Sequence, residues 1–114
     1  MNIAIKVNSV NDGEGAVCAP LEFIRGALRE GHTILRVFFY HDGIHEAYGP
    51  DLKAWEDVAT AGCFELVICS HATMLRGRSL SPQKPFIVGG LGLWVDACIK
   101  ADRVVTFGSP SFEA

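Results

Sequence analysis

One cysteine in this chain stands where a thiol can do chemistry. Cys69 ends the apolar run Phe64–Cys69 and directly precedes Ser70, which is suited to begin a helix. A sulfur between the end of a buried strand and the start of a helix lies near free backbone N–H groups, which favour the thiolate. Such a thiolate suits nucleophilic attack or reversible loading with sulfur. The alternative is a buried core cysteine, because free cysteines are among the most buried residue types.

Two further cysteines lack this setting. Cys98 lies on an apolar helical stretch with Leu91, Trp94 and Val95, so we expect it to pack in the core. Cys63 precedes the same strand that Cys69 ends, which places it at the opposite edge of the sheet, and we expect a structural role for it as well.

Cys18 is a candidate second thiol. It lies in the first turn of the first helix, and that turn faces the same sheet edge as Cys69. If strands 1 and 3 are neighbours, as in a 2-1-3 strand order, the two sulfurs can approach and Cys18 can act as a resolving thiol. The alternative is a packed helix residue.

Residues near Cys69 are candidate assistants. His71 can favour the thiolate when protonated, or it can simply face solvent, and Ser70 is adjacent. His41 and His45 lie in the exit loop of the second strand, where they either line a pocket or are solvated. No CxxC and no Cys/His grouping has zinc spacing, so we expect no metal ligands.

The glycines do not predict a nucleotide site. Gly13 and Gly15 follow the first strand, but their spacing matches neither a dinucleotide fingerprint nor a P-loop. We therefore expect no organic cofactor, and a flavodoxin-type redox protein is a weaker interpretation.

Alternating strand and helix patterns run along the whole chain. Strands are predicted over residues 2–8, 33–40, 64–69, 86–88 and 103–107, and helices over 16–30, 51–61, 70–78 and from the glycines at 89–92 to 100. This alternation predicts a three-layer α/β sandwich, flavodoxin-like or Rossmann-like, with a mostly parallel five-stranded sheet. We expect one domain over residues 1–108 and a loose tail over 109–114.

Bulk composition excludes several classes of function. The chain has 114 residues, 49% of them hydrophobic, which supports a packed core. Its net charge of −3 with scattered Lys and Arg argues against direct nucleic-acid binding. The start Met1–Ile5 does not resemble a secretion signal, and no apolar run is long enough to span a bilayer, so we expect a cytoplasmic location without membrane contact.

Three segments together resemble the DsrE/TusD sulfur-relay family. Residues 66–77 (LVICSHATMLRG) resemble its active-site segment, in which an apolar strand ends in Cys and a helix ends in Arg-Gly. Residues 36–44 (RVFFYHDGI) resemble its second strand and the loop that follows. Residues 90–107, from GLG to DRVVTF, resemble its closing unit. The segments follow in the same order over nearly the whole chain, so the chain is similar to this family as a unit.

The resemblance implies a function. It implies that Cys69 accepts sulfane sulfur as a persulfide and passes it to a cysteine of a partner protein, in tRNA thiolation or in sulfur oxidation. It implies sulfur donor and acceptor proteins as partners, assembly with itself or with sister small α/β subunits, and no cofactor. The alternative is a non-catalytic structural subunit of such a complex. Residues 48–63 and 79–85 are shorter than we expect for the family, and both segments lie where partners would dock.

Overall fold

The computed structural model describes residues 1–10 and 18–109. The predicted first loop at 11–15, the start of the predicted first helix at 16–17 and the tail from residue 110 lie outside the described residues. The elements, in chain order, are β1 (Asn2–Val7), α1 (Ala19–Arg29), β2 (Thr33–Phe39), a 3₁₀ helix (His41–Tyr48), α2 (Leu52–Gly62), β3 (Glu65–Cys69), α3 (Ser70–Leu75), β4 (Phe86–Gly89), α4 (Leu91–Lys100) and β5 (Arg103–Phe107).

All five strands form one parallel sheet in the order β4-β3-β2-β1-β5. The α/β architecture and the interior position of β1 confirm the sequence prediction. The assumed 2-1-3 strand order is wrong, because β2 lies between β1 and β3. Local βα patterns specify each crossover but carry no information about which side of β1 the next strand takes, so the order had to come from tertiary packing.

Neighbouring residues of β2 show how the three layers form. Phe39 packs edge-on against Trp55 of α2, at 4.9 Å between ring centroids, whereas Phe38 stacks against Trp94 of α4 at 6.1 Å. Because successive strand residues point to opposite faces, α2 and α4 lie on opposite sides of the sheet. Helix α1 packs beside α2, and its Phe23 contacts Phe107 of β5.

Helix α1 ends as the sequence predicts. Gly31 has φ +84° and follows the last turn, and His32 N–H donates to the Ala27 carbonyl at 2.9 Å while Gly31 N–H donates to the Leu28 carbonyl at 3.1 Å. This is a Schellman pattern, which a left-handed glycine allows at low cost. The helix therefore ends where the chain must turn back into β2.

Helix α4 differs from the expectation of a core helix. Only Ala97 is fully buried, while Leu91, Val95 and Ile99 are 49%, 52% and 78% exposed. These three residues are spaced by four and share the outward face of the helix. The apolar residues of α4 therefore lie on an outer surface as well as against the core. Cys98 is half-buried at the boundary between the two and is not packed in the core.

A half-buried cation fixes α4 to the sheet. Arg36 on β2 donates to the Leu93 carbonyl at 2.8 Å and pairs with Glu65 at 2.6 Å and with Asp96 at 3.3 Å. One guanidinium thus joins two neighbouring strands to the helix above them, and its five N–H donors make that geometry possible. Within the described ranges, no helix is long and apolar enough to cross a membrane.

Candidate functional site

Cys69 is the last residue of β3 and also the residue that caps α3. Its backbone is extended, at φ −65° and ψ 124°, and Thr73 Oγ1–H donates to its carbonyl at 2.7 Å. Ser70 was expected to cap this helix but is instead its first residue, and it is half-buried. The helix ends at Leu75, short of the predicted Arg78, because Gly77 at φ +66° breaks the helical path.

Cys69 is 1% exposed, which is the burial expected for the alternative interpretation, a buried core cysteine. The 3₁₀ helix His41–Tyr48 packs on both β3 and α3 and thereby covers the carboxyl end of the central strands. The sequence predicted an open loop at these positions. The segment is instead a compact helix with Ile44, Glu46 and Ala47 fully buried.

The 3₁₀ helix is joined to the residues after α3 by a set of contacts that we call the clasp, made between residues 42–48 and residues 76–79. Asp42 Oδ1 accepts from Arg76 Nε at 2.8 Å, and the Arg76 side chain is only 14% exposed. Arg78 Nε donates to His45 Nδ1 at 3.2 Å. The guanidinium of Arg78 lies 4.8 Å from the centre of the Tyr48 ring, and the Tyr48 hydroxyl donates to the Ser79 carbonyl.

The clasp shifts the titration of two of its members. Burial, and then the positive charge of Arg78, lowers the pKa of His45 below its usual 6.5. The neutral imidazole is the form that accepts the hydrogen bond from Arg78. Burial also raises the pKa of the Tyr48 hydroxyl, so that it stays a hydrogen-bond donor to Ser79.

Two glycines let the backbone close around Cys69. A Cβ on Gly43 would lie 2.0 Å from the Val7 carbonyl oxygen, so only glycine lets the 3₁₀ helix lie against the end of β1. Gly89 is the register partner of Cys69 on β4. A Cβ there would lie 2.4 Å from Cδ1 of Leu93 on α4 and 2.9 Å from Cγ1 of Val67, so a larger residue would have to displace these side chains.

The suggested help from His71 is absent in this conformation. The His71 side chain is exposed, and among the described residues it makes no hydrogen bond to Cys69. The alternative interpretation, a histidine that faces solvent, describes its position here. Cys63 is also exposed, as the left-handed C-cap of α2 at φ 55°, and not packed as expected, although it does lie at the sheet edge opposite Cys69.

Cys18 is half-buried and caps the N-terminus of α1. The argument for its approach to Cys69 fails, because β2 separates β1 from β3 by two strand spacings, about 10 Å. Its neighbours are instead Glu46 and Asp51, whose carboxylate oxygens lie with the Cys18 sulfur within 4.8 Å of one another. Burial is the main reason that the pKa of Cys18 is raised, and the two carboxylates add to the effect.

The acidic neighbours of Cys18 were missed by sequence reasoning. They come from the 3₁₀ helix and from the residue before α2, and no motif links positions 18, 46 and 51. Glu46 is 1% exposed, and Trp55 Nε1 donates to it at 3.2 Å. The only local signal in the sequence was that Glu46 lies between the apolar residues Ile44 and Ala47. A charged residue at that place also fits a solvated loop.

Comparisons with known proteins agree with this fold. The profile of the DsrE/DsrF-like family matches residues 1–107. A protein named putative sulfurtransferase DsrE from Allochromatium vinosum is 30% identical over 131 aligned positions, which cover 95% of this chain and 99% of that relative. A sulfurtransferase TusD from Salmonella newport is 32% identical, covering 94% of this chain and all of that relative.

Two solved structures share the fold. The ychN protein from E. coli superimposes with a TM-score of 0.73 at 22% identity and covers 93% of this chain and 98% of that one. A protein of unknown function from Methanobacterium thermoautotrophicum, MTH1491, gives a TM-score of 0.74 at 14% identity and covers 91% of this chain and 97% of that one. The fold, the family profile and the relatives agree, and the chain belongs to the DsrE/DsrF-like family.

Proposed function

We propose that this protein is a sulfur-relay subunit that carries sulfane sulfur as a persulfide on Cys69. Relatives that match nearly the full chain are named sulfurtransferases, which supports a sulfur-relay role. The observation that carries the proposal for Cys69 is its place at the end of β3. In parallel α/β sheets, sites form outside the carboxyl ends of the strands, and Cys69 is the cysteine that ends a strand at that edge.

The chemistry is thiol exchange without net oxidation or reduction. The Cys69 thiolate attacks the terminal sulfur of a donor persulfide, R–S–SH, and forms a new S–S bond as the donor S–S bond breaks. The donor leaves as the thiolate R–S⁻, and Cys69 becomes Cys69–S–SH. An acceptor thiolate then attacks the terminal sulfur in the same way and regenerates the Cys69 thiolate.

Burial of Cys69 adds a requirement to this cycle. A sulfur that is 1% exposed cannot meet a donor cysteine unless the covering segment moves. The clasp is the part of the cover held by polar contacts near the surface, so it is the part that opens at least cost. We propose that donor or acceptor docking opens the 3₁₀ helix and that its closure shelters the persulfide from water and stray thiols.

A two-protein transfer assay tests the role of Cys69. The protein is loaded with a low-molecular-weight persulfide, freed from the donor, and mixed with a small acceptor protein bearing one cysteine. Cys69→Ser should lose transfer to the acceptor, whereas the matched control Cys98→Ser should keep it. Undiminished transfer by folded Cys69→Ser would remove the proposal.

The burial of Cys69 also favours a second candidate function, a structural subunit whose cysteine only packs. The two functions predict different labelling by a thiol reagent in the presence of the partner subunits. In a carrier, the donor or acceptor should speed the labelling of Cys69 at least tenfold by opening the cover. In a structural subunit, Cys69 should stay protected with and without partners.

A further inference from the structure

A second site lies at the carboxyl ends of β1 and β5, away from Cys69. A cavity of about 190 Å³ opens there, and its walls include Ser9 after β1, Phe107 and Gly108 at the end of β5, and Cys18 and Glu46. This edge of the sheet is where ligands bind in parallel α/β folds. The cavity joins residues that come from four separate parts of the chain.

Two metal-ligand side chains, Cys18 and Glu46, line this cavity, and a third, Asp51, lies beside them. The Cys18 sulfur and carboxylate oxygens of Glu46 and Asp51 all lie within 4.8 Å of one another. Around a tetrahedral zinc ion, sulfur and oxygen donors are separated by about 3.4–3.6 Å, given bonds of about 2.0–2.3 Å. Small side-chain rotations therefore bring the three donors onto one ion, and the cavity supplies an open fourth position.

Neighbouring residues hold one of the three candidate ligands, Glu46, in a fixed orientation. The Glu46 carboxylate is 99% buried, and the Trp55 indole N–H donates to its Oε2 at 3.2 Å, which orients it. Asn8, next to Ser9 in the chain, is also buried; its amide donates to the Gly108 carbonyl at the cavity wall, and its Oδ1 has no partner among the described residues. A polar group bound at this edge of the sheet would satisfy that acceptor.

Charge at the site favours a cation. Two carboxylates and a thiol converge there, and the cation that acts on Cys18, Arg25, is paired at 3.0 Å with exposed Glu22. Three anionic donors around a divalent ion leave a net charge of −1, so the ion would offset most of the negative charge that these three groups carry. A mixed sulfur and oxygen set matches borderline ions such as zinc better than magnesium or calcium.

We propose that Cys18, Glu46 and Asp51 bind a divalent transition-metal ion of the zinc class, with its fourth position open to the cavity. On binding, the Cys18 S–H bond breaks, the proton leaves to solvent, and the thiolate forms the metal–sulfur bond. The site is independent of the sulfur-carrier role of Cys69. It also ties together α1, the 3₁₀ helix and the start of α2, since each contributes one ligand.

Cobalt titration of the full chain tests this site, because a thiolate bound to Co²⁺ gives a charge-transfer band in the near ultraviolet. We expect one Co²⁺ per chain with that band, and its displacement by Zn²⁺. Asp51→Asn, at a half-buried position that should tolerate the change, should weaken binding at least tenfold. Cys18→Ser should abolish the band, and Cys69→Ser should retain it.

A protection experiment covers the case in which a variant does not fold. In wild-type protein, Zn²⁺ should slow alkylation of Cys18 at least tenfold while exposed Cys63 stays fully reactive, as mapped by peptide mass. The proposal is overturned if folded wild-type protein shows no band, if the band survives Cys18→Ser, if Asp51→Asn binds equally well, or if Zn²⁺ leaves Cys18 unprotected.

Discussion

At the scale of single residues, Cys69 has two properties that oppose each other. It stands at the sheet edge where sites form, and it is almost completely covered. The 3₁₀ helix that packs on β3 and α3 is joined to the residues after α3 by an ion pair whose members differ in exposure, with Asp42 half exposed and Arg76 mostly buried. The equilibrium between the state in which Cys69 is covered and an opened state therefore depends on a few polar contacts.

Weakening the clasp should expose Cys69. Asp42→Ala removes the carboxylate that holds Arg76, and partly exposed ion pairs contribute about 0.2–1 kcal/mol. If the thiol reacts through an opened state, its labelling should accelerate by about 1.4-fold to fivefold. The measurement is the rate of Cys69 alkylation by peptide mass. Asp57→Ala, which removes the Lys53 ion pair on α2, is the control, and equal rates in wild type and Asp42→Ala would contradict the role of the clasp.

The position of Cys69 could be predicted from sequence, and burial was the alternative left open there, but the packing of residues 41–48 on β3 and α3 could not be predicted. The apolar run before it and the helix pattern after it are local signals, and both elements exist. The 3₁₀ helix that packs on β3 and α3 comes from residues 41–48, far from Cys69 in sequence. Glu46 was missed for the same reason, since contact between distant segments leaves no periodic pattern.

At the scale of elements, the 3₁₀ helix depends on close backbone approach. It was predicted as a loop because HDGIHEAYGP carries turn residues and no helical stripe. Its start is held by the Tyr40 N–H, which donates to the Val7 carbonyl at 2.9 Å, and Gly43 lies against that same carbonyl. The ordinary strands and helices were predicted within a few residues because their apolar periods are regular.

Gly43→Ala should lift the 3₁₀ helix from the end of β1. Its Cβ would lie 2.0 Å from backbone, which cannot rotate away, so we expect a loss of about 1–3 kcal/mol in the free energy of unfolding. Urea unfolding measures this loss. Gly92→Ala on α4 is the matched control, because open space surrounds that position and alanine favours a helix. Wild-type stability in Gly43→Ala would contradict the close packing.

At the scale of the whole molecule, α4 leaves an apolar surface uncovered. Leu91, Val95 and Ile99 face outward, and β5 of the same sheet also exposes Val104. From sequence, the apolar stretch of this helix indicated a position in the core instead. Strand order also escaped prediction, because it depends on packing between elements that no local pattern records.

We predict that the outer face of α4 is an assembly surface, for copies of this chain or for sister subunits. Val95→Asp should place a charge in that surface and reduce the assembled mass to that of the monomer. Light scattering of the protein alone and with co-expressed neighbouring subunits measures it. Thr60→Asp, on the exposed side of α2, should keep the assembly. A wild-type monomer under both conditions would rule out the assembly, and an unchanged mass for Val95→Asp would exclude this face.

Carriage of sulfur by Cys69 is tested most directly by locating the sulfur. Wild-type protein is incubated with a persulfide donor, alkylated, and analysed by intact mass and peptide mapping. We predict one added sulfur atom per chain, on Cys69, lost in Cys69→Ser and retained in Cys98→Ser. Equal loading of Cys18, Cys63 and Cys98, or loading that persists without Cys69, would contradict the proposal and leave Cys69 as a packing residue.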